Sequence, residues 1–323
     1  MPSEMARRVR VNRFGPSSVL ELEDFDPAIE LSCGENDIVV CMKAFGVNPV
    51  ETYIRNGTYS ALPVLPYTPG KDGAGIVHSI GSRVERFKIG DRVWITGSHS
   101  GTYAEFSVCP RSDVHQLPDR VDFTQGACLG IPYRTAYRAM KLIGAAKEGE
   151  SILIHGATGG VGTACIQFAK AMKLHPIIAS TSSRDPDVIQ RLKDDGADIV
   201  TTHGNLNLGT TVDLVIENLA NANLGIDLKL LNRGGRIVVV GSRGEVTVDP
   251  RDLMRSEGSI RGMMGAGSAS DKQEADTQIE IGLATGVLKP RVGTIFSLES
   301  IAEAHDEVIS HSKGTTGKIV VCI

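Results

Sequence analysis

Polar and apolar residues alternate in two different rhythms along this chain. Up to about residue 125 the apolar positions come in short runs cut by glycine and proline, namely DIVVCMKAFGV, GAGIVHSIGS, DRVWITG and YAEFSVC. The alternation of Arg8, Val9, Arg10 and Val11 reads as a half-exposed strand. This punctuation predicts a compact, mostly β domain. From about residue 126 apolar runs alternate with helix-length segments: SILIHG, a helix through Ala164 to Met172, HPIIAST, a helix from Val188 to Asp194, ADIVTT, VDLVIEN, LGIDLKLL, GGRIVVVG and SIRGMM. Strand and helix in alternation predict a parallel sheet covered on both faces. After about residue 266 a polar segment, GSASDKQEAD, leads to a helical stretch and then to GKIVVCI, a strand. No internal repeat or low-complexity tract interrupts the pattern.

Composition bounds the class. With 323 residues, 41% of them hydrophobic, the chain can fill two cores, at roughly 150 residues per domain. A net charge of -4, from 34 basic and 38 acidic residues mixed along the chain, gives no electrostatic reason to expect nucleic acid or an anionic membrane surface. The six cysteines, Cys33, Cys41, Cys109, Cys128, Cys165 and Cys322, are far apart with no CxxC pair. That spacing fits thiols of a reducing compartment rather than a disulfide framework or a zinc knuckle. No run reaches the ~18 apolar residues of a membrane span. The start, MPSEMARRVRVNRF, is basic without an apolar signal core. A cytoplasmic location is expected, with an organelle transit peptide as the other reading.

Candidate chemistry begins at HGATGGVG, residues 155 to 162, which follows the apolar run SILI. Four glycines at the mouth of a strand mark backbone that must turn sharply or be approached closely. Against the G-x-G-x-x-G fingerprint, Ala157 stands where the first glycine should be, Gly159 and Gly162 are in register, and Gly156 and Gly160 are extra. In its βαβ context the loop predicts a dinucleotide whose pyrophosphate lies on a helix N-terminus. At the end of the second strand, Ser180, Thr181, Ser182 and Ser183 precede Arg184, whereas Asp185 comes late and reads as a residue opening the next helix. Hydroxyls and a guanidinium there select NADPH over NADH; the bland reading of Arg184 is a solvated loop charge. His203 could add a hydrogen bond near the adenosine phosphate or be incidental. VVVGSRG, residues 238 to 244, and ENLAN, residues 217 to 221, close two further strands on the same edge, where Asn221 and Asn223 either face the ligand or cap a helix.

The segments GVNPVETYIRNGTY (46 to 59), LPYTPGKDGAGIV (65 to 77), FKIGDRV (87 to 93), GIPYRTAYRA (130 to 139), HGATGGVG, VVVGSRG and VDPRD follow one another in an order and spacing of their own. From about residue 7 to the carboxyl terminus, this text resembles the zeta-crystallin type of NADPH:quinone oxidoreductase in the zinc-independent medium-chain dehydrogenase/reductase superfamily. The resemblance implies an α/β protein. A GroES-like, mostly β catalytic domain would be built from residues 1–125 and 266–323, and a Rossmann doubly wound parallel-sheet domain from 126–265, with NADPH in the cleft between them. Relatives that oxidise alcohols hold zinc with a cysteine, a histidine and a third ligand. Here Asn48 stands at the cysteine position, Lys71 and Asp72 stand where histidine and glutamate would, and Cys109 is alone in the region of the structural zinc lobe. A zinc site needs about four N or S donors, so no metal is expected, and a quinone, which stabilises its own developing charge, suits the chemistry.

By the same resemblance Tyr53 lies beside the nicotinamide and donates to a quinone oxygen, with Asn48 and Tyr59 lining the pocket; Tyr59 reads equally well as a packing aromatic, and Glu51 could support the turn at Pro49. The implied cofactor contacts are Tyr53, then Thr158, Gly159, Gly160 and Val161, then Thr181, Ser182, Arg184, His203 and Asn223. They continue with Val240, Gly241, Ser242 and Arg243, and with Met263, Met264 and Gly265. The family delivers electrons to ortho- and para-quinones and yields semiquinone. GNLNLGTTV, after His203, is shorter than the family's stretch, and GMMGAG is richer in methionine. A second reading with the same cofactor is reduction of an enone or enal double bond. A third is a non-catalytic, recruited role as a lens structural protein or a binder of AU-rich RNA. The resemblance also implies a homo-oligomer, a tetramer before a dimer.

Overall fold

The computed structural model describes residues 5–203, 209–265, 267–312 and 314–323. It divides into two compact units, Met1–Ile131 with Pro290–Ile323, and Pro132–Lys289. No helix among the described residues is long and apolar enough to cross a membrane.

The chain opens in the first unit with β1 (Ala6–Val11), paired antiparallel with β2 (Leu20–Phe25). Ala6, Val9 and Val11 are buried, while Arg8 lies at the surface of the pair and its guanidinium meets Glu23 and Glu30. Next come β3 (Asp37–Gly46), β4 (Gly73–Ile80), β5 (Arg92–Ile95), β6 (Phe106–Pro110) and β7 (Val114–Gln116). The ten-residue β3 is the spine, antiparallel to both β4 and β6. Between β3 and β4 runs helix Pro49–Asn56, opened by a capping box of Asn48 and Glu51 and closed at Gly57. The φ of +78° at Gly57 is one that a residue with a Cβ resists.

The second unit carries β8 (Ile152–Ile154), β9 (Ile177–Thr181), β10 (Ile199–Thr202), β11 (Val212–Glu217), β12 (Leu231–Val239) and β13 (Ser259–Gly262). All are parallel, in the spatial order β10-β9-β8-β11-β12-β13. The strand order reverses between β8 and β11, and a ligand crevice opens beyond the carboxyl ends of the strands at such a switch point. Leu153, Ile178, Val215, Leu224 and Ile237 form the core of this unit. The chain then returns to the first unit with β14 (Val292–Ser297) and β15 (Lys318–Cys322), which complete the sheet order β14-β15-β3-β4-β5-β7 with β6 also on β3.

The division of the chain falls at 131/132 and 289/290, whereas the sequence reading set it at 125/126 and 265/266; Ala266 lies outside the described residues. Helix Ala269–Thr285 therefore belongs with the second unit, and charged side chains tie it there. Arg134 grips Asp276 with two bonds of 2.6 Å, Tyr137 Oη donates to Glu274 at 2.8 Å, and Arg138 Nε donates to Asp271 at 2.9 Å. Arg134 and Asp276 are both buried, and removing one partner of such a pair strands the other charge. D276A should therefore lower unfolding free energy by about 3–5 kcal/mol in urea titration; a loss under about 1 kcal/mol would show that the pair does not anchor the helix.

Candidate functional site

The strand β8 delivers the chain to His155, and Gly156, at φ +60°, turns it. Ala157 N donates to Ser180 O of β9 at 3.0 Å, and Gly159 N closes the turn onto Gly156 O at 3.0 Å. Helix Gly160–Ala171 starts there with Gly159 at its N-cap and no side-chain cap. Thr163 N bonds back to Gly159 O at 2.9 Å, so the amides of Gly160, Val161 and Gly162 lie in the first turn ahead of it, the usual unpaired donors of a helix start. Those donors, with the positive end of the helix dipole, face the switch point. A Cβ at Gly162 would sit 2.2 Å from Gly156 O, and this contact sets how closely the helix approaches the turn.

At the end of β9 the hydroxyls of Thr181 and Ser183 shape the next turn. Thr181 Oγ1 accepts from Ser183 N at 3.1 Å, Ser183 Oγ accepts from Asp185 N at 3.2 Å, and Asp185 caps helix Pro186–Asp195 by accepting from Asp187 N at 2.9 Å. Ser182 and Arg184 are left exposed, and Arg184 makes no ion pair with any described residue. The expected role of Asp185 as a helix opener is what the structure shows. After β10, the His203 ring is held by Ser180 Oγ at 2.8 Å and lies over His155 at 6.1 Å between centroids.

The ends of β11 and β12 interlock. Val240 N donates to Glu217 O at 2.8 Å and Ala220 N to Gly241 O at 2.9 Å. Asn221 Oδ1 accepts from Arg243 N at 2.8 Å and from Ser242 Oγ at 3.4 Å, which shapes the GSRG turn. Helix Ala220–Asp227 has Leu219 at its N-cap, so neither Asn221 nor Asn223 caps it. Asn223 Nδ2 instead reaches Glu217 Oε1 at 3.3 Å. Met263, half-buried, donates its N–H to Val239 O at 3.1 Å, and Met264 and Gly265 follow exposed. The strand ends thus bring together Thr158, Gly159, Gly160 and Val161 with Thr181, Ser182, Arg184, His203, Asn223, Val240–Arg243 and Met263–Gly265 along one edge.

Beneath that edge lies a cluster the sequence reading missed. His155 Nε2 meets Asp227 Oδ1 at 2.7 Å and Glu217 Oε2 at 3.6 Å, and all three side chains are fully enclosed. Their donor atoms fall within 4.8 Å of one another. Asn218 Nδ2 holds the His155 carbonyl at 2.8 Å, and Leu219 N donates to Glu217 Oε1. Apart from that 3.6 Å ion-pair contact of Glu217 Oε2, neither Glu217 Oε2 nor Asp227 Oδ2 accepts a hydrogen bond from a described residue. Burial pushes both carboxyls up to about 7, with His155 holding Glu217 down in part, and burial pushes the imidazole of His155 down. With both carboxyls raised and the imidazole neutral, one proton held between Glu217 and Asp227 would leave the site a single negative charge to bury instead of two. Glu217 lies in the quoted segment ENLAN, but its partners are 62 positions before and 10 after it, and no local signal joins them.

In the first unit Tyr53, on helix Pro49–Asn56, and Tyr59, just beyond it, are both half-buried, and neither hydroxyl bonds to any described residue. Asn48 is different. It is buried, with Oδ1 accepting from Lys318 Nζ and Nδ2 donating to Asp72 Oδ1 at 2.9 Å and to Glu51 Oε1 at 3.3 Å. The amide expected to line the pocket is thus committed to its neighbours. Glu51 supports the turn at Pro49 as expected, accepting from Asn48 N at 2.7 Å.

Residues 34–119 match the alcohol dehydrogenase GroES-like domain, and residues 160–280 match the zinc-binding dehydrogenase family. The chain is 43% identical to the quinone oxidoreductase of Homo sapiens over 99% of this chain and 98% of that protein. It is 31% identical to the quinone oxidoreductase of Pseudomonas aeruginosa over 98% of this chain and 99% of that protein. The crystal structure of the Escherichia coli quinone oxidoreductase complexed with NADPH is similar at a TM-score of 0.83 and 28% identity, covering 98% of this chain and 100% of that one.

Because the folded state holds on Glu217 a proton that the unfolded chain releases from an ordinary 4.5, this group's contribution to stability falls as pH rises through about 7. E217Q mimics the protonated form. Its melting temperature should gain on that of the native chain as pH rises from about 4.5 to about 7 and level off above; a difference constant across that window would refute the raised titration of Glu217.

Proposed function

This chain belongs to the quinone oxidoreductases of the medium-chain dehydrogenase/reductase superfamily, and we propose on that footing that it reduces ortho- and para-quinones with NADPH and without a metal ion. One observation carries the reading. An uncapped helix N-terminus at the switch point of a 3-2-1-4-5-6 sheet is flanked by a strand end offering Ser182 and Arg184 while its carboxylate, Asp185, is occupied as a helix cap.

The residues present fit the cofactor. Gly160, Val161 and Gly162 offer backbone N–H groups to a pyrophosphate, and the missing Cβ at Gly162 lets their helix start directly against the turn at Gly156. Ser182 and Arg184 suit a 2'-phosphate, because a guanidinium bonds phosphate oxygens in pairs and a free carboxylate would repel them. Bound NADPH supplies the reducing power; the chain binds, orients and excludes water. In the first unit the unpartnered hydroxyl of Tyr53 is the donor for an acceptor carbonyl, and Tyr59 adds an aromatic wall. Asn48 supports the Tyr53 helix from behind. No step requires a Lewis acid, and the positions where zinc-binding relatives carry ligands are occupied by a hydrogen-bonded set that already contains the Lys318 ammonium, a charge that repels a divalent ion.

The free phenol of Tyr53 would serve an enone carbonyl equally, and the products formed from each acceptor separate the two reactions. We also propose a homo-oligomer in a reducing, cytoplasmic setting. In support, the described cysteines are all free thiols, and β13 ends its sheet with Ile260 exposed, an edge that a second copy can extend.

Fluorescence titration should show selective binding of NADPH over NADH. R184A should weaken NADPH by about 10-fold or more, the worth of one charge-assisted contact, while leaving NADH nearly unchanged. No NADPH binding by the native chain would sink the reading of the glycine loop. With 9,10-phenanthrenequinone as acceptor, Y53F should lower kcat/KM by about 10-fold, the worth of one hydrogen bond; unchanged turnover would remove Tyr53 from the acceptor site.

A further inference from the structure

Lys318 opens β15 and is buried. Its ammonium donates to Val47 O at 2.7 Å and to Asn48 Oδ1, and stands 4.0 Å from Asp72 Oδ2. The stem reaches that position across bare backbone: a Cβ at Gly46 would lie 2.7 Å from Lys318 Cε and 2.9 Å from Asp72 Oδ1. The glycine of GVNPVE, Gly46, is therefore the gap through which a side chain 271 positions downstream of Val47 enters. Asp72 is pinned in turn by Ile131 N at 3.1 Å. Beyond Asn48 the network continues to Glu51, to Tyr103 Oη, which donates to Glu51 Oε2 at 2.5 Å, and to His305 Nε2, 3.1 Å from Tyr103 Oη.

We propose that Lys318 is a positioning residue for quinone reduction, an internal cation that binds the Val47–Asn48 strand end to Asp72 and thereby fixes the capping box that opens the Tyr53 helix. The proposal rests on the quinone reductase reading. Asn48 has two jobs, N-cap of Pro49–Asn56 and acceptor for Lys318, so the start of the helix cannot shift without breaking the ammonium's bonds. Tyr53 lies five residues after Asn48 on that helix, and its placement inherits the fix.

The charge has a separate consequence. Facing Glu51 are Asp72, Lys318 and Tyr103, with Tyr67 more distant and Arg55 on the same helix; His305, reached through Tyr103, is pushed down to about 3 by burial and stays neutral above that. Burial first and Asp72 second push Glu51 up to about 7, and Lys318 pulls it down. An ionised Glu51 is the stronger cap, because it accepts charge-assisted bonds from Asn48 N and Tyr103 Oη. Loss of the ammonium moves the Glu51 titration to higher pH, and the acid limb of turnover should move with it.

The test compares K318M and K318R with the native chain over pH 5.5 to 9. The readouts are kcat/KM for 9,10-phenanthrenequinone, NADPH affinity by fluorescence, and amide hydrogen exchange of residues 49–56. Expected for K318M are a loss of at least 10-fold in kcat/KM at pH 7, an acid limb displaced upward by about one pH unit, faster exchange in the helix, and NADPH affinity within about 2-fold of native. K318R should restore the limb and the exchange. A folded K318M with native turnover, limb and exchange overturns the proposal, as does a loss of turnover with an unmoved limb. If K318M does not fold, K318M/D72N removes both buried charges: a folded double variant with slow turnover and fast helix exchange supports the proposal, and one with native values overturns it. A native chain that binds NADPH but does not turn over quinone refutes the functional reading instead, and helix exchange and its recovery in K318R then decide the role of Lys318 alone.

Discussion

No side chain fits at position 162, and the second unit is arranged around that bare contact. A Cβ there would collide with the Gly156 carbonyl at 2.2 Å and with the Ala157 Cα at 2.6 Å. Because it is absent, helix Gly160–Ala171 can start directly on the turn that leaves β8, and the amides of its first turn converge on the point where the sheet order reverses. The neighbouring strands follow from this placement. The β9 end is bound to the same turn through Ala157 N, and the β11 end through Asn218 and the His155 carbonyl. What this turn presents at the switch point is therefore backbone N–H groups, with no side-chain cap over them.

Both units bury carboxyl groups, and they solve the resulting electrostatic problem differently. In the second unit Glu217 and Asp227 share an imidazole, Glu217 also accepts from Leu219 N and Asn223 Nδ2, and burial raises both carboxyls so that protonation lowers the charge. In the first unit Glu51 and Asp72 have an ammonium, and Asp72 also receives an amide hydrogen and a backbone N–H. Burying an ion pair is a weak source of stability. What such a network supplies is a single geometry, since every polar atom of Asn48 is spoken for and none can re-pair without exposing another.

The parts of this design written in local pattern were legible from the sequence. Strand and helix alternation gave the parallel sheet, and the glycine loop, the Ser182–Arg184 segment and the GSRG turn were found because each is a run of adjacent residues obeying a turn or capping rule. What could not be read depends on distance along the chain. Lys318 reads as an ordinary residue opening a strand until folding brings Asn48 and Asp72 to it. His155 looks like the neighbour of a glycine until Glu217 and Asp227 arrive from elsewhere. The resemblance assigned helix Ala269–Thr285 to the first domain, whereas Arg134, Tyr137 and Arg138 hold it to the second unit. Asn48 was expected at the pocket from its position in a motif, whereas in the folded chain its amide is engaged by Lys318, Asp72 and Glu51.

The strand β15 lies between β14 and β3, so the sheet of the first unit is woven from segments synthesised far apart. On a translating ribosome, where domains form as units while the chain emerges, the nucleotide-binding unit has all of its strands by the time Lys289 is out. The first unit at that moment has its spine strand β3 short of one neighbour and a capped helix awaiting its ammonium. The order of maturation is thus opposite to the order of the text: the middle of the message finishes first, and the beginning waits for residues 318 to 322. A nascent chain arrested between these points would present a completed Rossmann sheet joined to a β sheet with an open seam along β3, the kind of unpaired edge that chaperones shield.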